Sequence, residues 1–110
     1  MTFYNMEGEP LSLEEFAALF EGDQLQRVVE QTTLPGGVWI STVLLGLDHQ
    51  FGDGPPLIFE TMVFESSDYG PDLDMDRYST REQAEEGHRR MVTKWTGWTP
   101  GDDYPEEVGS

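Results

Sequence analysis

The sequence contains no cysteine. A chain without thiols forms no disulfide and offers no thiolate to zinc, so no covalent or metal cross-link can replace a packed core. We therefore expect the fold to depend on its hydrophobic core alone. The motifs G-x-S-x-G and H-E-x-x-H are also missing, and without these signatures of nucleophilic and zinc-protease catalysis we expect a binding protein rather than an enzyme.

Long apolar runs are absent as well. No 18 consecutive residues are apolar, and the start of the chain, MTFYNMEGEP, contains neither a basic segment nor an apolar run. A membrane-spanning helix needs about 20 mainly apolar residues, and a secretory leader needs a basic start followed by an apolar stretch. The sequence therefore predicts a cytoplasmic protein without membrane contact.

Basic residues are scarce, with 6 Lys and Arg against 22 Asp and Glu, so the formal net charge is −16 at pH 7. Long-range repulsion at this charge disfavours direct binding to nucleic acid or to an anionic membrane. Two interpretations remain for the acidic surface. It keeps a small protein soluble and monomeric, or it binds a basic protein.

The length and the end of the chain predict its organisation. The 110 residues are enough for one ordinary domain and leave no room for a second. We expect residues 1–96 to form a single compact domain and residues 97–110, GWTPGDDYPEEVGS, to form an acidic, flexible tail. Such a domain would be a monomer or a small homo-oligomer.

Two segments have the pattern of amphipathic helices. In the first, at about 12–21, Ser12 and Glu15 have the spacing of a capping box. The second, at about 80–95, has the same spacing at Ser79 and Glu82. Its apolar face has helical spacing, and comprises Ala84, His88, Met91, Val92 and Trp95.

The remaining apolar segments predict strands. Leu25 to Leu34 and Val38 to Leu47 flank the turn residues 35–37 and indicate a hairpin, and Leu57 to Glu65 is a third strand. Leu73 to Tyr78 adds a short edge strand. The expected class is α+β: a three- to four-stranded, mostly antiparallel sheet, with a short N-terminal helix and a C-terminal amphipathic helix packed on one face.

Six acids without an intervening base form a candidate surface for a basic partner; they are Glu60, Glu65, Asp68, Asp72, Asp74 and Asp76. Trp98, in the predicted tail, is a candidate exposed anchor, because tryptophan is enriched at binding hot spots. Nucleic-acid mimicry is one form that such binding could take. It requires carboxylates in extended rows, because B-DNA carries one charge per about 1.7 Å of axis.

A second hypothesis places a ligand or metal site, enzymatic or not, around the loop at residues 48–56. Asp48, His49 and Asp53 lie there among glycines, and Glu60 and His88 are further residues of the types that zinc or non-haem iron binds. His88 also fits a hydrogen-bonded position at the edge of the core, and no regular ligand spacing is present. We therefore predict neither a metal nor a cofactor.

Two segments, GLDHQFGDGPPLIFETMVF at 46–64 and RYSTREQAEEGHRRMV at 77–92, resemble parts of small acidic proteins encoded by tailed phages of actinobacteria and by related prophages. The resemblance implies a phage or prophage origin and the cytoplasm of a host cell. It implies no reaction and no site residue. Together with the charge, it favours an interaction protein that binds and modulates a basic host or defence protein, and a virion assembly component is the other alternative.

Overall fold

The computed structural model describes residues 2–22, 24–47, 54–66 and 71–105. In chain order the elements are β1 (Phe3–Tyr4), β2 (Pro10–Leu11), α1 (Leu13–Glu21), a 3₁₀ helix (Gln24–Arg27), β3 (Val28–Thr33), β4 (Trp39–Leu44), β5 (Phe59–Phe64), β6 (Asp72–Tyr78) and α2 (Arg81–Trp95). The predicted α+β class is confirmed. The 3₁₀ helix occupies the start of the predicted first strand, and the ribbon of β1 and β2 was not predicted, because two-residue strands have no periodicity to detect.

The main sheet is an antiparallel meander with the strand order β3-β4-β5-β6. The predicted hairpin joins β3 to β4, and its turn is closed by hydrogen bonds from Leu34 N to Val38 O and from Gly37 N to Leu34 O, both 2.8 Å. Gly37 has a φ of +100°, which a residue with a Cβ rarely adopts. The predicted edge strand is also confirmed, since β6 pairs with β5 from Asp72 to Tyr78, with one register shift between Val63 and Phe64.

Helix α2 covers one face of this sheet. Alternate residues of the central strands β4 and β5 point toward it, because successive side chains of a strand lie on opposite faces. Ile40 and Val63 pack with Met91 and Trp95 in one buried cluster. A second cluster contains Leu44, Ile58, Phe59, Tyr78 and Ala84.

Both helices begin with a capping box. In α1 the box is the predicted pair of Ser12 and Glu15. In α2 it lies one residue later than predicted, at Thr80 and Gln83 instead of Ser79 and Glu82. Glutamine can close a capping box as glutamate does, so two pairs in the sequence have the required spacing, Ser79 with Glu82 and Thr80 with Gln83.

Helix α1 packs differently from the prediction that both helices cover the sheet. Its main contacts are with the β1-β2 ribbon and the 3₁₀ helix, and none of its residues is buried. Phe16 stacks on Phe3 with 4.1 Å between ring centroids, while Leu19 packs against the second core cluster. The ribbon is attached to the end of β4 by a hydrogen bond of 2.8 Å from Tyr4 N to Gly46 O.

The predicted tail begins inside the core. Trp98 is only 7% exposed and belongs to the buried cluster that contains Trp95. Tyr104 lies against both indole rings, at centroid distances of 5.7 Å and 6.1 Å. The chain therefore packs against the domain well past residue 96, and residues 106–110 lie outside the described part of the chain.

Candidate functional site

Glu60, the first of the six candidate acids, forms an ion pair within the sheet. Its Oε2 accepts a hydrogen bond of 3.0 Å from Arg77 Nε, and its side chain is 15% exposed. The two residues are opposite each other on β5 and β6, which is the position at which opposite charges stabilise a strand pair. Glu60 is therefore a structural residue and is poorly placed to contact a partner or a metal.

Asp74 is also engaged inside the protein. Its Oδ2 accepts hydrogen bonds from Lys94 Nζ at 2.7 Å and from Trp95 Nε1 at 3.0 Å. Partial burial raises the pKa of this carboxyl, but the hydrogen bonds from Lys94 and Trp95 and the charge of Lys94 outweigh it, so the net pKa is lowered. Asp74 thus links the edge strand to the last turn of α2.

The other described candidate acids differ in exposure. Asp72 and Asp76 are exposed on the edge strand β6, whereas Glu65 is half-buried beyond the end of β5. Asp68 lies outside the described residues. Trp98 is in the core and cannot be the exposed anchor that we predicted. Of the seven predicted contact residues, the structure places two on an open surface.

His88 lies beneath α2 with no exposed surface. Its Nδ1 is 2.7 Å from Thr42 Oγ1 and its Nε2 is 2.8 Å from Thr32 Oγ1, so both ring nitrogens have protein partners. Burial is the main cause that lowers the pKa of His88; the carboxylate of Glu30 raises it and Arg89 lowers it further. His88 is thus a hydrogen-bonded core residue, the structural alternative weighed for it, and offers no nitrogen to a metal.

The loop residues of the predicted ligand or metal site, Asp48, His49 and Asp53, lie outside the described residues. Among the residues that the structure does describe, no group of three or more His, Cys, Asp and Glu side chains could hold a metal ion.

The N-terminal unit of β1, β2 and α1 carries charge of one sign. Its carboxylates are exposed and no Lys or Arg occurs in residues 2–22; the acids are Glu7, Glu9, Glu14, Glu15 and Glu21. None of them forms an ion pair with a described residue. The sequence shows these acids and the lack of bases, but nothing in it distinguishes them from acids that are paired elsewhere.

A groove of about 770 Å³ lies where this unit meets α2. One lip is the turn of the ribbon, at Glu7 and Gly8, and the other is the first turn of α2 with the two residues before it, at 79–85. The floor is apolar and consists of Met6, Pro55, Pro56 and Ile58. A volume of this size is typical of ligand sites, which occupy about 300–1,000 Å³.

The charged groups of the lips are Glu7 on the ribbon and Glu82, Glu85 and Arg81 on α2. Arg89, four residues after Glu85 on α2, contacts Glu86 instead, with 3.1 Å between Arg89 Nη2 and Glu86 Oε2. Glu85 therefore has no ion pair with a described residue. With three carboxylates and one guanidinium, the lips carry net negative charge above an apolar floor.

Comparisons with protein-family models, with curated proteins and with solved structures find no match to this chain. In the described part of the chain, no helix combines the length and the apolar character that crossing a membrane requires.

Proposed function

We propose that this chain is a non-enzymatic interaction protein of phage type, which binds a basic protein in the cytoplasm of the host cell and modulates its activity. The charge of −16 gives such a partner long-range attraction. The resemblance of residues 46–64 and 77–92 to phage proteins supports the host setting. The acids of the N-terminal unit replace the segment 60–76 as the main contact surface in this proposal.

One observation carries the proposal: a group of exposed, unpaired carboxylates lies in a part of the chain that contains no base. Five exposed carboxylates lie in residues 2–22, which contain no base. By contrast, Arg77 pairs with Glu60, Lys94 with Asp74, and Arg89 and Arg90 with Glu86. Self-repulsion of unpaired charge costs stability, so an acidic unit of this kind is better explained by a partner than by folding.

The test is affinity capture from a lysate of an actinobacterium, with the full chain immobilised. We expect a small set of basic proteins to be retained at about 50 mM salt and released at about 500 mM, because screening weakens contacts between exposed charges. A variant with Glu7→Gln, Glu14→Gln and Glu21→Gln should lose this capture. These three glutamates accept no hydrogen bond from a described residue, so the fold should persist.

A charge-matched variant is the control. Asp72→Asn, Asp76→Asn and Asp103→Asn remove three exposed carboxylates from β6 and the C-terminal segment, which leaves the net charge at −13, as in the first variant. It should retain the partner. If no basic protein is enriched, or if both variants lose capture to the same extent, the proposed surface is wrong.

A further inference from the structure

We propose that the groove between the ribbon turn and the first turn of α2 receives an extended basic segment of the partner. An apolar side chain of that segment would lie on the floor of the groove, and flanking Arg or Lys side chains would contact the lips. This inference rests on the proposed function and adds to it the place of contact and the chemistry of the bound segment.

The floor of the groove is lined by apolar residues. Met6 and Pro56 are half-buried, Pro55 is exposed, and Ile58 is buried at the bottom. The two prolines have no amide N–H to donate, so this part of the floor favours apolar contact over a network of backbone hydrogen bonds. Burial of apolar surface is favourable, so an aliphatic side chain of the bound segment would gain free energy by lying on this floor.

The lips supply the charge. The N-terminus of a helix often attracts anions through its free N–H groups, but here the capping box engages those of Thr80 and Gln83, and the acids of the lips outnumber the single base. Gln83 N donates to Thr80 Oγ1 at 3.1 Å, and Ser79 N and Thr80 N donate to Gln83 Oε1 at 3.0 Å and 3.2 Å. The carboxylates of Glu7, Glu82 and Glu85 therefore decide the sign, and they favour a cationic segment.

A second copy of this chain is a weaker occupant. Two molecules of net charge −16 repel each other at the distances that docking requires. Of the described bases, Arg77, Arg89, Arg90 and Lys94 are paired with acids of their own chain. Charge complementarity thus selects a basic partner over self-association.

The probe is a fluorescein-labelled peptide of alternating arginine and leucine, Arg-Leu-Arg-Leu-Arg-Leu-Arg, titrated into the full chain by fluorescence anisotropy. Two control peptides replace either all leucines by serine or all arginines by glutamine. We expect only the parent peptide to bind well, because one control lacks the apolar side chains and the other lacks the positive charges. The methyl NMR signals of Met6 and Ile58 should shift on binding, and those of Leu13, which is 67% exposed on α1, should not.

The decisive variant carries Glu7→Gln, Glu82→Gln and Glu85→Gln, and its control is the charge-matched variant at Asp72, Asp76 and Asp103. We expect the groove variant to bind the parent peptide about tenfold more weakly and the control to change by less than about twofold. Equal weakening in both variants, or a serine peptide that binds as well as the parent, would show that only diffuse charge is recognised. If the methyl NMR signals of Met6 and Ile58 do not shift on binding, the peptide does not bind in the groove and the proposed site is wrong.

Failure of this inference is distinguishable from failure of the proposed function. If the lysate partner is captured by the groove variant as well as by the unmodified chain, the interaction protein stands and the groove is excluded as its site. If no basic protein is captured, the proposed function fails, and the peptide titration shows by itself whether the groove binds cations. Sedimentation equilibrium of the free chain tests the second copy, and a dimer broken by the groove variant would contradict the proposal.

Discussion

The imidazole of His88 is enclosed beneath α2, where its Nε2 lies 3.6 Å from Glu30 Oε2. Thr32 and Thr42 contact its two nitrogens, and Thr42 Oγ1 is also 2.6 Å from Thr61 Oγ1, so a chain of hydrogen bonds runs across the sheet beneath α2. A buried network of this kind stabilises a fold only when every member has a partner. Protonation of His88 would place a charge in this enclosed position and replace one acceptor nitrogen by a donor.

We therefore expect the stability of the protein to fall in mild acid. The pKa of His88 is below the ordinary 6.5 in the folded chain. The unfolded state then binds more protons, so the contribution of His88 is complete above 6.5 and decreases as the pH falls below that value. Urea unfolding at about pH 7.5 and about pH 5.5 measures the effect, in a range that lies above the ordinary pKa of carboxyl groups.

An NMR titration of the histidine ring protons, assigned with the His49→Gln variant, reports the pKa of His88 directly. A value at or above 6.5, or equal stability at the two pH values, would contradict this explanation.

The carboxylate of Asp74 connects β6 to the last turn of α2. Asp74→Asn weakens the acceptor shared by Lys94 and Trp95, and we expect it to cost about 1–3 kcal/mol of unfolding free energy at neutral pH. The exposed neighbour provides the control, since Asp72→Asn should change stability by less than about 0.5 kcal/mol. Because the pKa of Asp74 is lowered, its contribution is present above 3.8 and is lost as the pH falls below that value.

The difference between the chain and Asp74→Asn should therefore disappear in strong acid. A neutral effect of Asp74→Asn at pH 7 would mean that this contact does not hold β6 to α2.

Among the helices and strands, the position of α2 on the sheet depends on a close approach at Gly87. A Cβ added there would lie 2.1 Å from Tyr78 Cζ and from Tyr78 Oη, far inside any contact distance. Glycine costs a helix interior about 1 kcal/mol relative to alanine. The residue thus reduces the local propensity of α2 but allows the helix to lie against the ring of Tyr78.

We predict that Gly87→Ala destabilises the protein by about 1–3 kcal/mol, although alanine is the better helix former. Thermal and urea unfolding give the value. A double-mutant cycle with Tyr78→Ala isolates the cause, since removal of the ring should make the added methyl group harmless or stabilising. Additive effects of the two substitutions would disprove the steric explanation.

For the whole molecule, the net charge of −16 opposes folding. Like charges brought together in the compact state repel each other, and salt reduces this repulsion: the Debye length falls from about 30 Å at 0.01 M to about 8 Å at 0.15 M. The N-terminal unit concentrates the effect, because its five exposed carboxylates have no base within residues 2–22.

We expect the midpoint of thermal unfolding to rise by about 5 °C between low salt and about 0.2 M NaCl, which corresponds to about 1 kcal/mol for a domain of this size. The variant with Glu7→Gln, Glu14→Gln and Glu21→Gln should be more stable than the unmodified chain at low salt and should respond less to added salt. Scanning calorimetry measures both. A midpoint that is unchanged or lowered by salt would show that repulsion is not a destabilising term.

Local pattern in the sequence determined most of the fold. The helices at 13–21 and 81–95, the hairpin around residues 35–37 and the edge strand at 72–78 follow from capping residues, turn residues and apolar periodicity. These signals act between near neighbours, so a sequence contains them directly. The one-residue error at the start of α2 arose within the same local signals, because Ser79 and Thr80 both offer a cap.

Only the tertiary structure decided which acids are free and where a groove forms. Glu60 and Asp74 look like Asp72 in the sequence, yet each is paired with a base that is 17 or 20 residues away along the chain. The sequence pattern predicts that Trp98 belongs to the tail, but in the fold it packs in one buried cluster with Trp95 and Leu34. The groove joins residue 6, residues 55–58 and residue 82. Proximity between distant segments results from packing of the whole chain, and no local pattern encodes it.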